Sequence, residues 1–123
     1  MSEEVFLKEI FIQIKDACER INRRVSLIKS PDDFYTSDDN LDKLDAICML
    51  LIAIGESLKK IDKRTDGKLL VKYPAVDWKG LKGIRDVISH QYFDLNSEAV
   101  FNTCKKDIPI LLNTLTLLIK HYK

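Results

Sequence analysis

The amino-acid sequence predicts an all-α protein, an antiparallel four-helix bundle. Three observations lead to this prediction. Apolar residues recur at three- and four-residue steps in four stretches, no stretch alternates apolar and polar residues as a strand does, and the connecting segments are of ordinary or moderate length. Residues 1–123 are expected to form a single domain, since a chain of this length can bury its own core.

The first helix is predicted from about residue 3 to residue 28. Its apolar stripe consists of Val5, Phe6, Ile10, Ile14, Ala17, Ile21, Val25 and Ile28. The stretch Ser30-Pro31-Asp32-Asp33 is expected to end it. The second helix is predicted to begin after Ser37 or Asp38 as N-cap and to run to about residue 63. Its stripe consists of Leu41, Leu44, Ile47, Leu51, Ile54, Leu58 and Ile61.

Two further helices follow a connecting segment, TDGKLLVKYPAVD, whose Pro74 predicts a loop with at most one short turn. Asp77 is predicted to cap a third helix, from Trp78 to about Tyr92, and Asn96 a fourth. Pro109 lies inside the fourth helix, where it is expected to remove one backbone hydrogen bond and bend the helix without ending it.

Composition restricts the functional classes. Lys+Arg 20 against Asp+Glu 19 gives a net charge of +1, so a nucleic-acid site would need a local basic patch. No apolar run approaches the roughly 18 to 20 residues of a membrane span, and the acidic start lacks the features of a secretory signal, so a cytoplasmic protein without membrane contact is expected. Cys18, Cys48 and Cys104 lack metal or redox spacing and are predicted to be buried free thiols.

The segment RDVISHQY, residues 85–92, concentrates polar side chains in a chain with only two histidines. On a helix, Asp86 lies four positions before His90 and can accept a hydrogen bond that orients the imidazole. Arg85 and His90 are five positions apart, about 140° around the axis. They can meet one phosphate if the arginine curls round the helix, if the helix distorts near its end, or if a symmetric dimer brings two copies together.

These residue types suit the cleavage of RNA without a metal ion. A histidine can exchange a proton with the ribose 2′-OH or the leaving oxygen, and an arginine can hold the phosphoryl oxygens as charge builds. Gly80 and Gly83, on the side of the helix near His90, would permit close approach of a second copy. A purely structural function of His90 stays open as an alternative, because a histidine near a helix end also interacts favourably with the helix dipole.

A wider pattern accompanies this segment. It comprises Ile54-Gly55-Glu56, Tyr73-Pro74, Trp78, Gly83-Ile84-Arg85-Asp86, Ile88, His90, Tyr92 and Pro109. In this combination the chain resembles the HEPN superfamily, and within it the HepT-like branch, the toxin half of type VII HEPN/MNT toxin–antitoxin pairs. The similarity spans nearly the whole chain.

The resemblance implies a dimeric four-helix bundle that acts as a metal-independent endoribonuclease and needs no cofactor. Arg85 and His90 would be the catalytic pair at a cleft shared by two copies, with Asp86 in support. Tyr92 would accept AMP from a minimal nucleotidyltransferase, the antitoxin. Each AMP would add a phosphodiester charge and a bulky base, which would exclude the RNA from the cleft.

The functions of several residues can be interpreted in more than one way. Many relatives have Asn where this chain has Asp86, and a carboxylate there favours imidazolium, which helps a general acid and weakens a general base. Glu56 could orient Arg85 or be a solvated helix residue. Lys82, together with Lys79 and the basic run 59–64, could bind RNA or the acidic surface of a partner. The basic run could also simply complement the dipole at the end of its helix.

A rival hypothesis makes the protein a non-catalytic subunit that docks a nucleotidyltransferase and presents a substrate or nucleotide to it. The basic motif would then only bind phosphate. The presence of Arg85 together with His90 favours the enzyme, because phosphate binding alone could use lysine as readily.

Overall fold

The computed structural model describes residues 2–91 and 94–122, with the backbone alone at residues 89–91 and 94. The main helices are α1 (Glu3–Val25), α2 (Asp38–Thr65), α3 (Trp78–Lys82), α4 (Ile84–Ile88), α5 (Ser97–Asn102) and α6 (Ile108–His121). Short 3-10 turns cover Pro31–Tyr35 and Leu70–Lys72, and a π-helical segment, Thr103–Asp107, joins α5 to α6. Two short strands, β1 (Ser89–Gln91) and β2 (Asp94–Leu95), pair antiparallel. The predicted all-α helical bundle is confirmed.

The core lies between α1, α2 and α6, with α3 and α4 packed on α2. Most of the predicted apolar stripes are buried, as the periodicity requires. Val5 and Leu41 are exceptions, with 46% and 38% of their surface exposed. Both lie in the first turn of their helices, where fewer neighbouring residues are available to cover a side chain.

The prediction that the first helix reaches residue 28 was wrong by one turn. Helix α1 ends at Val25, and the amides of Lys29 and Ser30 donate to the Asp33 carboxylate at 2.8 and 3.3 Å instead of to helical carbonyls. Ile28 is nevertheless fully buried, because a turn closed by its amide on the Val25 carbonyl carries it into the core.

The predicted helix caps are confirmed. The side chains of Ser37, Asp77 and Asn96 accept hydrogen bonds from backbone amides at the starts of α2, α3 and α5. The Asp77 carboxylate also occupies the space that a Cβ on Gly80 would need. Gly80 therefore has a local function in this cap.

The third helix departs most from its prediction. It is broken at Gly83 into α3 and α4, and it ends at Ile88 instead of near residue 92. The Ile88 carbonyl accepts the amide of Asn96 at 2.9 Å, and the chain then pairs as β1 with β2. The hydrogen bonds of a short hairpin thus replace those that would continue the helix.

As predicted, the helical segment continues past Pro109. The π-helical turn at Thr103–Asp107 lies directly before it, and α6 begins at Ile108 with the proline in its first turn. Since a proline cannot donate a hydrogen bond, a wider turn in the preceding backbone relieves the lost bond.

The three cysteines are buried and free, as predicted. Burial is the largest cause that raises the pKa of Cys18 and Cys104 to about 12 and that of Cys48 to about 11. Such thiols stay protonated and unreactive at neutral pH. In the described ranges, no helix has the length and apolarity to cross a bilayer.

Candidate functional site

A close backbone contact sets the position of the candidate site. Gly55 is buried in the middle of α2, and a Cβ at this position would lie 2.7 Å from the Leu81 carbonyl oxygen and 3.3 Å from Cγ2 of Ile84. A real Cβ does not come that close to a backbone oxygen, so only glycine lets α2 approach the junction of α3 and α4 this closely. This contact gives the glycine of the I-G-E motif a structural reason.

An ion pair joins α2 and α3 nearer the C-terminal end of α2. The Lys82 ammonium on α3 pairs with the Asp62 carboxylate on α2, and the two side chains are 31% and 24% exposed. From the sequence, Lys82 was a possible supporting residue that could bind RNA or an acidic partner surface. The structure places it in contact with α2, where it helps hold α3 in place.

Helix α4 presents two candidate residues to solvent. Ile84 and Ile88 are buried against the core, whereas Arg85 and Asp86 are exposed. The two buried isoleucines anchor α4 on the core, and both polar side chains stay at the surface. Arg85 and Asp86 are free to contact a large polymer such as RNA.

The other two candidate residues, His90 and Tyr92, follow the end of α4 in the sequence. The backbone of His90 belongs to β1, while its side chain and the whole of Tyr92 lie outside the described residues. Since α4 ends at Ile88, the helical four-residue relation predicted between Asp86 and His90 does not hold. Of the geometries expected to bring Arg85 and His90 together, the one with a distorted helix end agrees with this backbone.

Glu56 follows Gly55 on α2 and interacts with lysines of its own helix and with Arg85 on α4. Its carboxylate pairs with the Lys59 ammonium at 2.9 Å, one turn along α2. The hydrogen bond and charge of Lys59 are the main causes that lower the pKa of Glu56, and the charges of Arg85 and Lys60 lower it further. Glu56 is thus a partly exposed helix residue that pairs within α2 and also experiences the charge of Arg85.

The pairing of Glu56 with Lys59 was missed from the sequence, although their three-residue spacing on a helix was a readable signal. The pairing of Asp62 with Lys82 had no such signal, because the two residues are twenty positions apart. Only the packing of α3 on α2 brings them together.

The aromatic residues around the start of α3, Tyr73 and Trp78, serve packing. The Trp78 indole is buried, and its Nε1–H donates to the Tyr73 carbonyl at 2.9 Å. This contact ties the start of α3 to the preceding loop and leaves no open indole face for a base. A cavity of about 550 Å³ lies elsewhere, between α1 and α2, and neither Arg85 nor Asp86 lines it.

Comparison with known proteins gives the family. The family model for HepT-like ribonucleases matches residues 14–118, which include α2, α3, α4 and the motif at 85–90. The chain belongs to the HepT-like ribonuclease family. A HepT-like relative from Thermococcus cleftensis, named "Probable ribonuclease HepT", is 35% identical over 66 residues, 54% of this chain and 56% of the relative.

Two other relatives of this HepT-like chain carry the name "Putative RNase". One, from Methanocaldococcus jannaschii, is 37% identical over 75 residues, 61% of either chain. The other, from Caldanaerobacter subterraneus subsp. tengcongensis, is 33% identical over 98 residues, 80% of either chain. The chain spans about three-fifths of the length of the first of these relatives. No solved structure matches the chain of this protein.

The electrostatics of Glu56 can be tested by titration. Lys59→Ala should raise the pKa of Glu56 toward its ordinary value, because the largest cause of the lowering is removed, and Arg85→Ala should raise it by less. NMR titration of the side-chain carboxyl carbon measures both shifts. Lys29→Ala, which removes an exposed lysine outside α2, is the control and should leave the pKa unchanged. An equal pKa in wild type and Arg85→Ala would contradict the proximity of Arg85.

Proposed function

We propose that this protein is a metal-independent endoribonuclease whose Arg85 and His90 act on RNA, with Asp86 in support. The observation that carries the proposal is the HepT-like ribonuclease match over residues 14–118, which includes R-x-x-x-x-H at positions 85–90. The exposure of Arg85 and Asp86 on α4 supports it, because a polymeric substrate needs an open surface.

The proposed chemistry follows from the residue types. The ribose 2′-OH attacks the adjacent phosphorus, and the bond to the 5′-oxygen of the next nucleotide breaks, which leaves a 2′,3′-cyclic phosphate. A histidine takes the proton of the 2′-OH or donates one to the leaving oxygen. Arg85 stabilises the charge that develops on the phosphoryl oxygens. A carboxylate such as that of Asp86 favours a nearby protonated imidazole, so the acid step would gain most from it.

A homodimer is part of the proposal. Two copies related by a twofold axis would place two sets of these residues at one cleft, and one histidine could then serve as base while the other serves as acid. Glu56, whose pKa the charge of Arg85 lowers, would help hold the guanidinium toward that cleft.

The central test is RNA cleavage in the presence of EDTA. Wild-type protein of unmodified mass should cleave single-stranded RNA, whereas His90→Ala and Arg85→Ala should lose the activity by about 100-fold or more, the usual contribution of an acid–base group or an anion-stabilising donor. Lys29→Ala is the matched surface control. Circular dichroism and light scattering check that fold and assembly are unchanged.

Two outcomes would contradict this function. Cleavage that survives in His90→Ala would remove the histidine from the mechanism. No cleavage by unmodified wild type, together with a stable complex with a minimal nucleotidyltransferase, would favour the non-catalytic subunit.

We further propose that a minimal nucleotidyltransferase acts as antitoxin and transfers AMP from ATP to Tyr92. The tyrosine oxygen would attack the α-phosphorus and release its proton, the bond from the α-phosphorus to pyrophosphate would break, and the resulting phosphodiester would repel the RNA backbone from Arg85 and His90.

Co-expression with a minimal nucleotidyltransferase tests the modification. The mass of the protein should increase by one or more AMP groups, and tandem mass spectrometry should place them on the peptide that contains Tyr92. RNA cleavage by the modified protein should fall to the level of His90→Ala. Tyr92→Phe should stay unmodified, because it lacks the acceptor oxygen. An unchanged mass of wild type, or AMP on another residue, would contradict the proposal.

A further inference from the structure

One side of the C-terminal half of α2 is basic. Lys59, Lys60 and Lys63 are all exposed, and we call these three residues the basic flank. At 100° per residue, Lys59 and Lys63 lie within about 60° of Glu56 and between it and the side of α2 that carries Asp62. Since Asp62 contacts α3 through Lys82, Lys59 and Lys63 lie beside the side of α2 that packs on α3.

Lys59 and Lys60 of the basic flank lie close to Arg85. Gly55 brings α2 against the start of α4, and Glu56 follows it on the side of Lys59. The charges of Lys59, Lys60 and Arg85 all act on the Glu56 carboxylate. Coulomb interactions between exposed charges fall off within about 10 Å at ordinary salt, so these three cations share one neighbourhood.

The local charge exceeds that of the whole chain. Residues 56–63 and 82–86 contain five cations and three carboxylates, in a chain whose net charge is only +1. Two of these carboxylates, Glu56 and Asp62, are already paired with Lys59 and Lys82. Neither of them pairs with Lys60 or Lys63 in the described contacts. This is the local basic patch that a nearly neutral chain requires to bind nucleic acid.

We propose that the basic flank of α2 binds the RNA phosphates next to the one held by Arg85. The inference rests on the proposed ribonuclease function and assigns its substrate a path along α2. Lys59 and Lys63 are one turn apart, a rise of about 6 Å, so each can contact a separate phosphate. Their contacts fix the position of the strand and do not select its sequence.

The ion pair of Lys59 is compatible with this function. Lys59 and Glu56 are 53% and 45% exposed, and exposed ion pairs add little to stability. A phosphate can therefore take the place of the Glu56 carboxylate at Lys59. The carboxylate that is released stays beside Arg85.

RNA binding by a cleavage-inactive form tests the inference. In the His90→Ala background, fluorescence anisotropy with a labelled single-stranded RNA would compare three charge variants. Lys59→Gln/Lys63→Gln should weaken binding on the order of tenfold at low salt and reduce the slope of log affinity against log salt by about 1.4, because two phosphate contacts are lost. Lys59→Arg/Lys63→Arg should retain the affinity, since the charge is kept.

The control is Lys29→Gln/Lys106→Gln, which removes the same charge from exposed residues that lie outside α2, α3 and α4. It should bind with nearly the affinity and salt slope of the parent. Equal affinities of the two glutamine variants would overturn the inference. So would normal RNA binding by Lys59→Gln/Lys63→Gln combined with loss of its complex with the nucleotidyltransferase, since the flank would then serve a protein partner.

Cleavage by the otherwise wild-type protein is measured separately, so that the two proposals can fail independently. If the protein cleaves RNA while the lysine variants bind it normally, the inference fails and the proposed function stands. If the protein cleaves no RNA but the lysine variants bind it more weakly, the ribonuclease proposal fails and the phosphate-binding flank stands.

Discussion

The close approach of α2 to the junction of α3 and α4 at Gly55 is the constraint on which the candidate site depends. Any side chain there would meet the Leu81 carbonyl, which belongs to the backbone and cannot turn away. With the gap closed, Trp78, Leu81 and Ile84 are buried. The next residue along α2, Glu56, lies near enough for Arg85 to lower its pKa.

The outer side of this contact is organised by charge. Lys82 pairs with Asp62 and fixes α3 to α2, while Lys59 pairs with Glu56 within α2. Arg85 is exposed on α4, which is only five residues long and is followed directly by the β1–β2 hairpin. The buried face of α4 anchors this short helix, and β1 follows it with an extended backbone. Arg85 is therefore exposed beside an extended segment, which a regular helix through residue 90 would not provide.

Much of the fold could be predicted from the sequence, because apolar spacing and cap residues are local signals. The stripes of α1, α2 and α6, the caps at Ser37 and Asp77 and the continuation past Pro109 followed from them. The end of α4 at Ile88 did not, because the carbonyl of this residue bonds to Asn96 across a hairpin. The contact of Gly55 was also beyond reach, since a glycine in a helix does not reveal which backbone approaches it.

The most direct test of this account is cleavage of RNA by Gly55→Ala, compared with Ala53→Gly, at a temperature where circular dichroism shows both to be folded. Ala53 is exposed on the same helix, and its replacement costs about 1 kcal/mol of helix stability without altering the contact. We predict that Gly55→Ala cleaves about 100-fold more slowly although its Arg85 and His90 are unchanged, because displacing α4 misplaces Arg85. Ala53→Gly should cleave like wild type. Equal rates for the two variants would contradict it.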